Sequence, residues 1–155
     1  MDTSPRHRGP LCGLPEVNLG IIPAGGGTQR FTRLVGWERA HEIIRQGRPL
    51  TAAEALAHGV ISHIGPADRL ISTAVAMVAH LAVGKMQVPA IPEGVLEKTA
   101  PALPEVELGH LSTAVDTLIS ESIAQGLSMT LEDGLAHELD VFKRICLLKD
   151  MRIGV

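Results

Sequence analysis

Glycine divides the first sixty residues of this 155-residue chain into short segments. Gly36, Gly47 and Gly59 stand eleven and twelve residues apart, and apolar residues recur on one helical face between them. Glycine readily adopts the left-handed conformation that ends many helices. This spacing therefore predicts helices over 28–35 and Trp37–Gln46 and a shorter helix that stops at Gly59.

Other residues mark where further helices begin. Residues 51–54, Thr-Ala-Ala-Glu, form a capping box, in which the threonine oxygen accepts an N–H and the glutamate reaches back to the cap. Pro66 suits the first turn of a helix and predicts a long one. Residues 112–125 and 130–148 predict two amphipathic helices, the first ended by Gly126. The apolar side of the last helix is expected to carry Leu131, Leu135, Leu139, Phe142 and Cys146.

Strand signals are few. Residues 14–22 form a short apolar run that predicts a strand end before a turn at Pro23, and residues 60–64 predict a second short strand. One or two short strands do not form a stable sheet by themselves. Strands that pair with them would have to come from other residues. Residues 86–110 contain four prolines and are expected to be irregular. The prediction is an α/β chain that is mostly helical.

Composition excludes several classes of protein. The 14 basic and 17 acidic residues give a net charge of −3, so no nucleic-acid or anionic-membrane partner is expected. No apolar run approaches the roughly 20 residues that span a bilayer. The two cysteines lie far apart and the seven histidines form no metal-ligand pattern, so no disulfide framework and no metal site are expected. A reducing, cytoplasmic location fits this cysteine usage.

The candidate chemistry lies in residues 14–30. Glu16 is a carboxylate among apolar neighbours, where desolvation favours the protonated form that general acid/base chemistry uses. The glycines at 25–27 stand just before a predicted helix, where exposed N–H groups favour a negative or polarised group. From the residues alone, a solvated turn glutamate and a plain tight turn stay open as alternatives. Arg30 and Arg33 are assigned to a solvated or ion-paired helix face rather than to phosphate binding.

The same stretch resembles a known family. Residues 14–36 are similar to the signature PE-x-x-LG-x-x-P-x-x-GGTQRL-x-R-x-x-G of the enoyl-CoA hydratase/isomerase (crotonase) superfamily. Residues 47–55 resemble its G-x-x-x-x-A-x-EA segment, and residues 134–154 resemble its C-terminal GL-x-x-E-x-x-x-F and D-x-x-x-G patterns. The resemblance is strongest over residues 11–65 and corresponds to the C-terminal half of the family's fold.

The resemblance implies a partial α/β crotonase-like (ClpP/crotonase) fold and a lyase or isomerase that hydrates or isomerises an acyl-CoA thioester, as in fatty acid metabolism. Glu16 matches one of the family's two catalytic carboxylates. Pro23, Ala24, Gly25 and Gly26 match the turn beside it and are expected to contribute to substrate binding. No separate cofactor is implied, because coenzyme A is part of the substrate. Family members form trimers and pairs of trimers, so a homo-oligomer is expected.

The resemblance is also incomplete. The family's partner glutamate and its oxyanion-hole segments precede the PE pair, and nothing upstream of Leu11 supplies them. A truncated or separately encoded half enzyme is therefore expected, with an N-terminal half supplied in trans, and an inactive remnant or assembly module is the alternative. The acyl group and the choice among hydratase, isomerase and hydrolase chemistry stay open. The expected parts are a loose arm over 1–13, the C-terminal part of a crotonase core over 14–85, a Pro-rich irregular segment over 86–110 and a helical oligomerisation region over 111–155.

Overall fold

The computed structural model describes residues 9–149, which contain six α-helices and two short strands. The helices are α1 (Thr32–Val35), α2 (Trp37–Gln46), α3 (Ala52–Ala57), α4 (Leu70–Ala82), α5 (Thr113–Leu127) and α6 (Leu131–Ile145). The strands β1 (Leu11–Cys12) and β2 (Leu50–Thr51) pair antiparallel, with Leu11 opposite Thr51 and Cys12 opposite Leu50. Most of the expected N-terminal arm and the last six residues of the expected oligomerisation region lie outside the described residues.

The predicted helix boundaries hold where local signals were strong. α2 has the predicted bounds, and Gly47 ends it in the left-handed conformation with φ 62°. The capping box opens α3: the Glu54 N–H donates to Thr51 Oγ1 at 3.2 Å, and the Thr51 N–H donates to Glu54 Oε2 at 2.7 Å. The helix predicted over 28–35 is present, but its first turn, Gly27–Phe31, is a π-helix.

Both predicted strands are wrong. Pro15–Leu19 is a 3-10 helix because Pro15 presets the helical φ of its first position and the Asn18 amide donates to the Pro15 carbonyl at 3.1 Å. Gly20 then ends this short helix with φ 70°. Residues 60–64 form bends and irregular backbone. The two strands that do form are two residues long, too short for a pattern in the sequence to predict them.

Two features of the C-terminal helices also differ from prediction. Gly126 does not end the first of them, because α5 continues to Leu127. The buried face of α6 is shifted from the predicted apolar side, and Leu139 on that predicted side is 50% exposed. The residues of α6 that are buried are Gly134, Glu138, Val141 and Ile145. The face is set by contact with α5 and with the π-helical turn, where a glycine permits close approach.

The core lies between α2, the π-helical turn and the α5–α6 hairpin. Its fully buried side chains include Ile44, Val115, Ile119, Ile123 and Ile145. The segment 86–110 forms neither helix nor strand, yet it is tied to the hairpin. The N–H groups of Leu96 and Glu97 both donate to the Leu127 carbonyl at 3.0 Å, and the Leu131 N–H donates to the Glu93 carbonyl at 2.7 Å.

A buried ion pair joins α2 to α5. Arg45 donates two hydrogen bonds to the Asp116 carboxylate, at 2.7 and 2.9 Å, and both side chains are more than nine-tenths buried. The same guanidinium donates to the Pro104 carbonyl at 2.5 Å. Because a buried charge is tolerated only when it is paired and hydrogen-bonded, Arg45 holds α2, α5 and the Pro-rich segment in one arrangement.

Candidate active site

Glu16 lies near the start of the 3-10 helix Pro15–Leu19. Its residue is half-buried, and its Oε2 atom is buried without a hydrogen-bond partner among the described residues. A buried carboxylate oxygen is costly to leave unpaired, so it calls for an explanation such as a catalytic role or a bound water. One oxygen of this carboxylate is thus not engaged in a hydrogen bond within the described part of the chain.

Two glycines fix the position of this short helix. A Cβ atom on Gly47, the residue that ends α2, would lie 2.8 Å from Val17 Cγ1 and 2.5 Å from Asn18 Nδ2. A Cβ on Gly27 would lie 2.5 Å from Pro23 Cβ and 3.5 Å from Leu14 Cδ1. At Gly47 the Glu16 helix therefore approaches α2 as closely as only glycine permits, whereas Gly27 packs tightly on Pro23 within its own turn and lies at ordinary van der Waals distance from Leu14.

The four residues expected to bind substrate form one continuous turn after Ile22. Pro23 and Gly26 are buried, Ala24 is half-buried and Gly25 is exposed. The Ala24 N–H donates to the Ile22 carbonyl at 2.8 Å, and the Gly27 N–H donates to the Pro23 carbonyl at 2.9 Å. Gly26 has φ 89°, a left-handed value that glycine adopts without strain. The turn is thus a rigid neighbour of the Glu16 helix.

The anion at this turn is a side chain of the protein itself. Glu138, on α6, is 1% exposed. It accepts the Gly26 N–H on Oε1 at 2.7 Å, and on Oε2 it accepts the Thr28 N–H at 2.9 Å and the Thr28 hydroxyl at 2.5 Å. The glycine cluster indicated that the turn favours a negative group, but the identity of that group was missed. One signal in the sequence could have identified it. Glu138 follows Gly134 by one helical turn, so it lies on the same face of α6 as this small residue, and one face of that helix must be buried.

The next signature residue, Gln29, is inserted between the two long helices. Its amide nitrogen donates to the Ser122 carbonyl at 2.9 Å and to Thr28 Oγ1 at 3.1 Å. A Cβ on Gly126 would lie 2.1 Å from Gln29 Oε1, and a Cβ on Gly134 would lie 2.5 Å from it. These two helical glycines therefore form the slot that the glutamine side chain fills.

Arg33 is not on a solvated helix face, as the sequence suggested, but is 6% exposed. Its two terminal nitrogens donate to four backbone carbonyls, those of Pro92, Gly94, Gly126 and Met129, at 2.7–3.2 Å. Burial lowers the pKa of the Arg33 guanidinium from its ordinary value. Its hydrogen bonds join the Pro-rich segment to the last turn of α5 and to the loop after it. Arg30, by contrast, is exposed and donates to the Gly25 carbonyl at 3.0 Å.

Within residues 9–149, no three histidine, cysteine or acidic side chains are arranged to hold a metal ion. None of the helices in the described part of the chain is both long and apolar enough to cross a membrane.

Comparison with known proteins gives one consistent result. The sequence model of one protein family, described as enoyl-CoA hydratase/isomerase, matches residues 6–144. The chain belongs to the enoyl-CoA hydratase/isomerase family. This membership confirms the resemblance carried by residues 14–36, and the mostly helical α/β architecture is part of the crotonase fold.

Individual relatives of the enoyl-CoA hydratase/isomerase family agree with this assignment. A probable enoyl-CoA hydratase of Rhizobium meliloti is 31% identical over 143 residues, which are 92% of this chain and 45% of that protein. An enoyl-CoA isomerase/hydratase of Mycosarcoma maydis is 52% identical over 54 residues, which are 35% of this chain and 20% of that protein. The solved structure of a carnitinyl-CoA dehydratase from Mycobacterium avium superposes with a TM-score of 0.58 at 23% identity, over 92% of this chain and 46% of that one, and this likeness concerns the fold. The chain thus spans less than half the length of the curated relatives that match nearly all of it.

Proposed function

We propose that these residues contribute the Glu16 side of an acyl-CoA active site that hydrates or isomerises an enoyl thioester. The supporting observation is the Glu16 carboxylate, with a buried, unpaired oxygen on a short helix whose Val17 and Asn18 side chains lie close against Gly47. In hydration, the water oxygen bonds to Cβ as one of its O–H bonds breaks, the Cα–Cβ π pair moves toward the thioester carbonyl, and the resulting enolate takes a proton at Cα from the second carboxylic acid of the site. Glu16 takes the proton from water or returns it in the reverse reaction.

Within this proposal, Pro23, Ala24 and Gly25 form the wall of the acyl-CoA site beside Glu16. Gly26 contributes through its backbone position, because its N–H is already bonded to Glu138. No cofactor apart from the substrate's own coenzyme A takes part. The exposed Gly25 lies beside the Arg30 guanidinium, which brings a positive charge to the rim of this turn.

The active site requires a second part. The residues described here hold one candidate carboxylate, and the chain spans 45% of the Rhizobium relative, so the second carboxylate and the oxyanion donors come from residues outside this stretch. A segment corresponding to the rest of the family fold, in the same protein or in a second chain, would supply them. The exposed face of α4 and the edges of the β1–β2 pair are the surfaces proposed to receive it, because apolar patches and unpaired strand edges favour association. Homo-oligomers are proposed on the same ground.

The decisive experiment is reconstitution. The chain is mixed with a polypeptide corresponding to the other part of a family relative, and hydration of crotonyl-CoA is followed by the loss of its conjugated enoyl absorbance. We expect negligible activity from the chain alone, because each missing oxyanion donor costs a factor of about 10² to 10³ in rate. The mixture should be active.

A matched pair of variants tests whether Glu16 is the general acid/base. Glu16→Gln should lower the restored kcat by a factor of about 10² to 10⁴, the range for one general acid/base group, with little change in the unfolding midpoint. Glu42→Gln, on the exposed side of α2, should leave kcat unchanged. Restored activity that survives Glu16→Gln would show that another group does this work, and strong activity from the chain alone would show that the oxyanion donors are misplaced.

The second candidate function is a non-catalytic assembly module. It is favoured by one observation: α4 has no buried residue and exposes a row of large apolar side chains. If the chain binds the complementary polypeptide with a measurable Kd by calorimetry but the complex turns over no acyl-CoA, this function replaces the enzymatic one.

A further inference from the structure

Both carboxylate oxygens of Glu138 are bonded to the glycine turn, across 110 or more residues of sequence. The single proton of the Thr28 hydroxyl goes to Glu138 Oε2, so in the 2.8 Å contact between Thr28 Oγ1 and Ser122 Oγ the serine is the donor. All three side chains are at most 1% exposed. No substrate reaches this network, so its role is to hold something else in place.

The turn that Glu138 holds leads back to Glu16. A Cβ atom added to Gly27, between the two residues bonded to Glu138, would lie 2.5 Å from Pro23 Cβ and 3.5 Å from Leu14 Cδ1, so the turn lies tight against Pro23 and beside the Leu14 side chain. Leu14 directly precedes the helix that carries Glu16, and the Ile21 N–H closes that helix by donating to the Glu16 carbonyl at 3.2 Å. The turn held by Glu138 therefore lies beside Leu14 and next to Pro23, and these two residues flank the segment that carries Glu16.

We propose that Glu138 is a positioning residue: it fixes the Gly26–Thr28 turn from α6 and thereby sets the orientation of Glu16. This extends the proposed function, on which its catalytic consequence rests, to a residue of the C-terminal helix. Hydrogen bonds to an ionised carboxylate are about twice as strong as neutral ones and directional, which suits a group that must hold a turn to within a fraction of an ångström.

A residue that merely stabilised the fold would behave differently from a positioning residue. Its loss would weaken all the slowly exchanging amides together, in proportion to the lost stability. Loss of a positioning residue should release a local set of amides first, those of Gly26, Thr28 and Ile21, while the α5–α6 hairpin stays closed.

The test compares Glu138→Gln with Val141→Ala. Glutamine keeps the shape of the side chain but removes the charge and sets an N–H₂ group against one of the turn's donors. Val141 is fully buried one turn further along α6 and forms no bond to the turn, so its truncation supplies a general loss of stability. Hydrogen exchange followed by ¹H–¹⁵N NMR reports each amide in the whole 155-residue chain.

In Glu138→Gln we expect exchange at Gly26, Thr28 and Ile21 to accelerate by about tenfold to a hundredfold relative to amides of α5, as loss of one charge-assisted hydrogen bond implies. In Val141→Ala the acceleration should be shared by the turn and α5. Equal patterns in the two variants would reduce Glu138 to a stabilising residue. Acceleration at Gly26 and Thr28 with none at Ile21 would show that the effect does not reach Glu16.

Thr28→Val keeps the test valid if Glu138→Gln does not fold. Valine has nearly the shape of threonine and keeps the backbone N–H, so only the hydroxyl's hydrogen bonds with Glu138, Ser122 and the Gln29 side-chain amide are lost. The same local acceleration at Ile21, smaller in size, is expected. Its absence in a folded Thr28→Val protein would contradict the proposal.

In the reconstituted complex, Glu138→Gln should lower kcat for crotonyl-CoA by about tenfold while KM stays within about twofold, because a misplaced acid/base group affects the transition state more than substrate binding. Val141→Ala should leave kcat unchanged at a temperature where it is folded. An equal rise of KM in both variants would contradict positioning. If the unmodified complex shows no activity, the proposed function fails, whereas the exchange experiment still decides the coupling of Glu138 to the Glu16 helix.

Discussion

Helices α4 and α5 are similar in length and both are rich in apolar residues, yet they end in opposite environments. α5 buries Val115, Ile119, Ile123 and Leu127 against α2 and α6. α4 has no buried residue, and Ile71 is 76% exposed. An apolar stripe therefore predicts that a helix forms, but not that its partner lies within the same stretch of chain.

The polar residues around α4 and α5 differ in the same way. Around α5, the buried polar groups Arg45, Asp116, Ser122 and Gln29 are paired in specific hydrogen bonds. Along α4, the described side-chain bond is that of Ser72 to the Arg69 carbonyl, which closes the helix's own first turn. The α5 side of the molecule therefore packs as a core within this chain. The α4 side is an exposed apolar surface that could be buried by another segment or chain.

The largest expected effect lies on the α5 side. Asp116→Ala leaves the buried Arg45 charge without its partner and should lower the free energy of unfolding by about 3–5 kcal/mol. Asp140→Ala removes an exposed ion pair with Lys143 and should change it by less than about 1 kcal/mol. Urea unfolding followed by circular dichroism measures both, and similar losses in the two variants would mean that the Arg45–Asp116 pair is not buried in solution.

A pair of isoleucines tests the comparison directly. Ile119→Ala on α5 should lower the free energy of unfolding by about 2–5 kcal/mol, because it leaves a cavity in the core. Ile71→Ala on α4 should change it by about 0.5 kcal/mol or less in the chain alone. Denaturant titration decides. A large loss for Ile71→Ala would show that α4 is already packed, against itself or a second copy, and would end the contrast between the two helices.

Two glycines in the left-handed conformation, one packed against the Glu16 helix and one in open space after α4, extend the comparison. Gly47 has φ 62° and Gly84 has φ 70°, so alanine at either position adds about 1–2 kcal/mol of backbone strain. At Gly47 the new methyl group would also displace Val17 and Asn18, whereas at Gly84 nothing lies within 4 Å. Gly47→Ala should therefore lower the free energy of unfolding by about 1–3 kcal/mol more than Gly84→Ala does. Thermal unfolding of the two variants measures the difference. Equal costs would mean that the Glu16 helix is not held against α2.

The smallest effect is electrostatic and concerns the start of α3. Hydrogen bonds from the Thr51 N–H, the Thr51 hydroxyl and Arg48 lower the pKa of Glu54 from 4.5 to about 2. Because the folded value is lower than the unfolded one, ionised Glu54 stabilises the fold above pH 4.5, and this contribution is lost as the pH falls toward about 2.

Glu54→Gln should flatten this part of the acid dependence of the unfolding midpoint, measured at intervals between pH 6 and about pH 2. Glu42→Gln, at an exposed position of α2, is the matched control and should keep the wild-type slope. A slope that Glu54→Gln leaves unchanged would show that the capping box does not persist in solution.

Prediction from sequence succeeded for features that a few neighbouring residues specify. The capping box at Thr51 and the helix end at Gly47 depend on bonds within four residues, and both are present. Glu16 and the glycine turn are close together along the chain, but the strand assigned to Glu16 is a 3-10 helix. A proline and an asparagine three residues apart outweighed the apolar pattern there.

Partners separated by many residues were not predictable. Nothing near Gly26 indicates that Glu138 binds its N–H, and nothing near Arg33 indicates that carbonyls of residues 92–129 surround it. Such contacts depend on how the helices approach one another, which in turn depends on small residues such as Gly126 and Gly134 at the crossing.

The sequence by itself determined the family, the bounds of α2, the capped start of α3 and which glutamate matches the family signature. Turns, caps and signature spacing depend on neighbouring residues, so the chain encodes them independently of its tertiary contacts. Only the tertiary structure decided that the signature's Thr28, Gln29 and Arg33 are occupied by internal bonds, that Glu138 is the anion at the glycine turn, and that α4 stays uncovered. Burial is a relation between distant surfaces, and a pattern along one segment carries no information about the surface that will meet it.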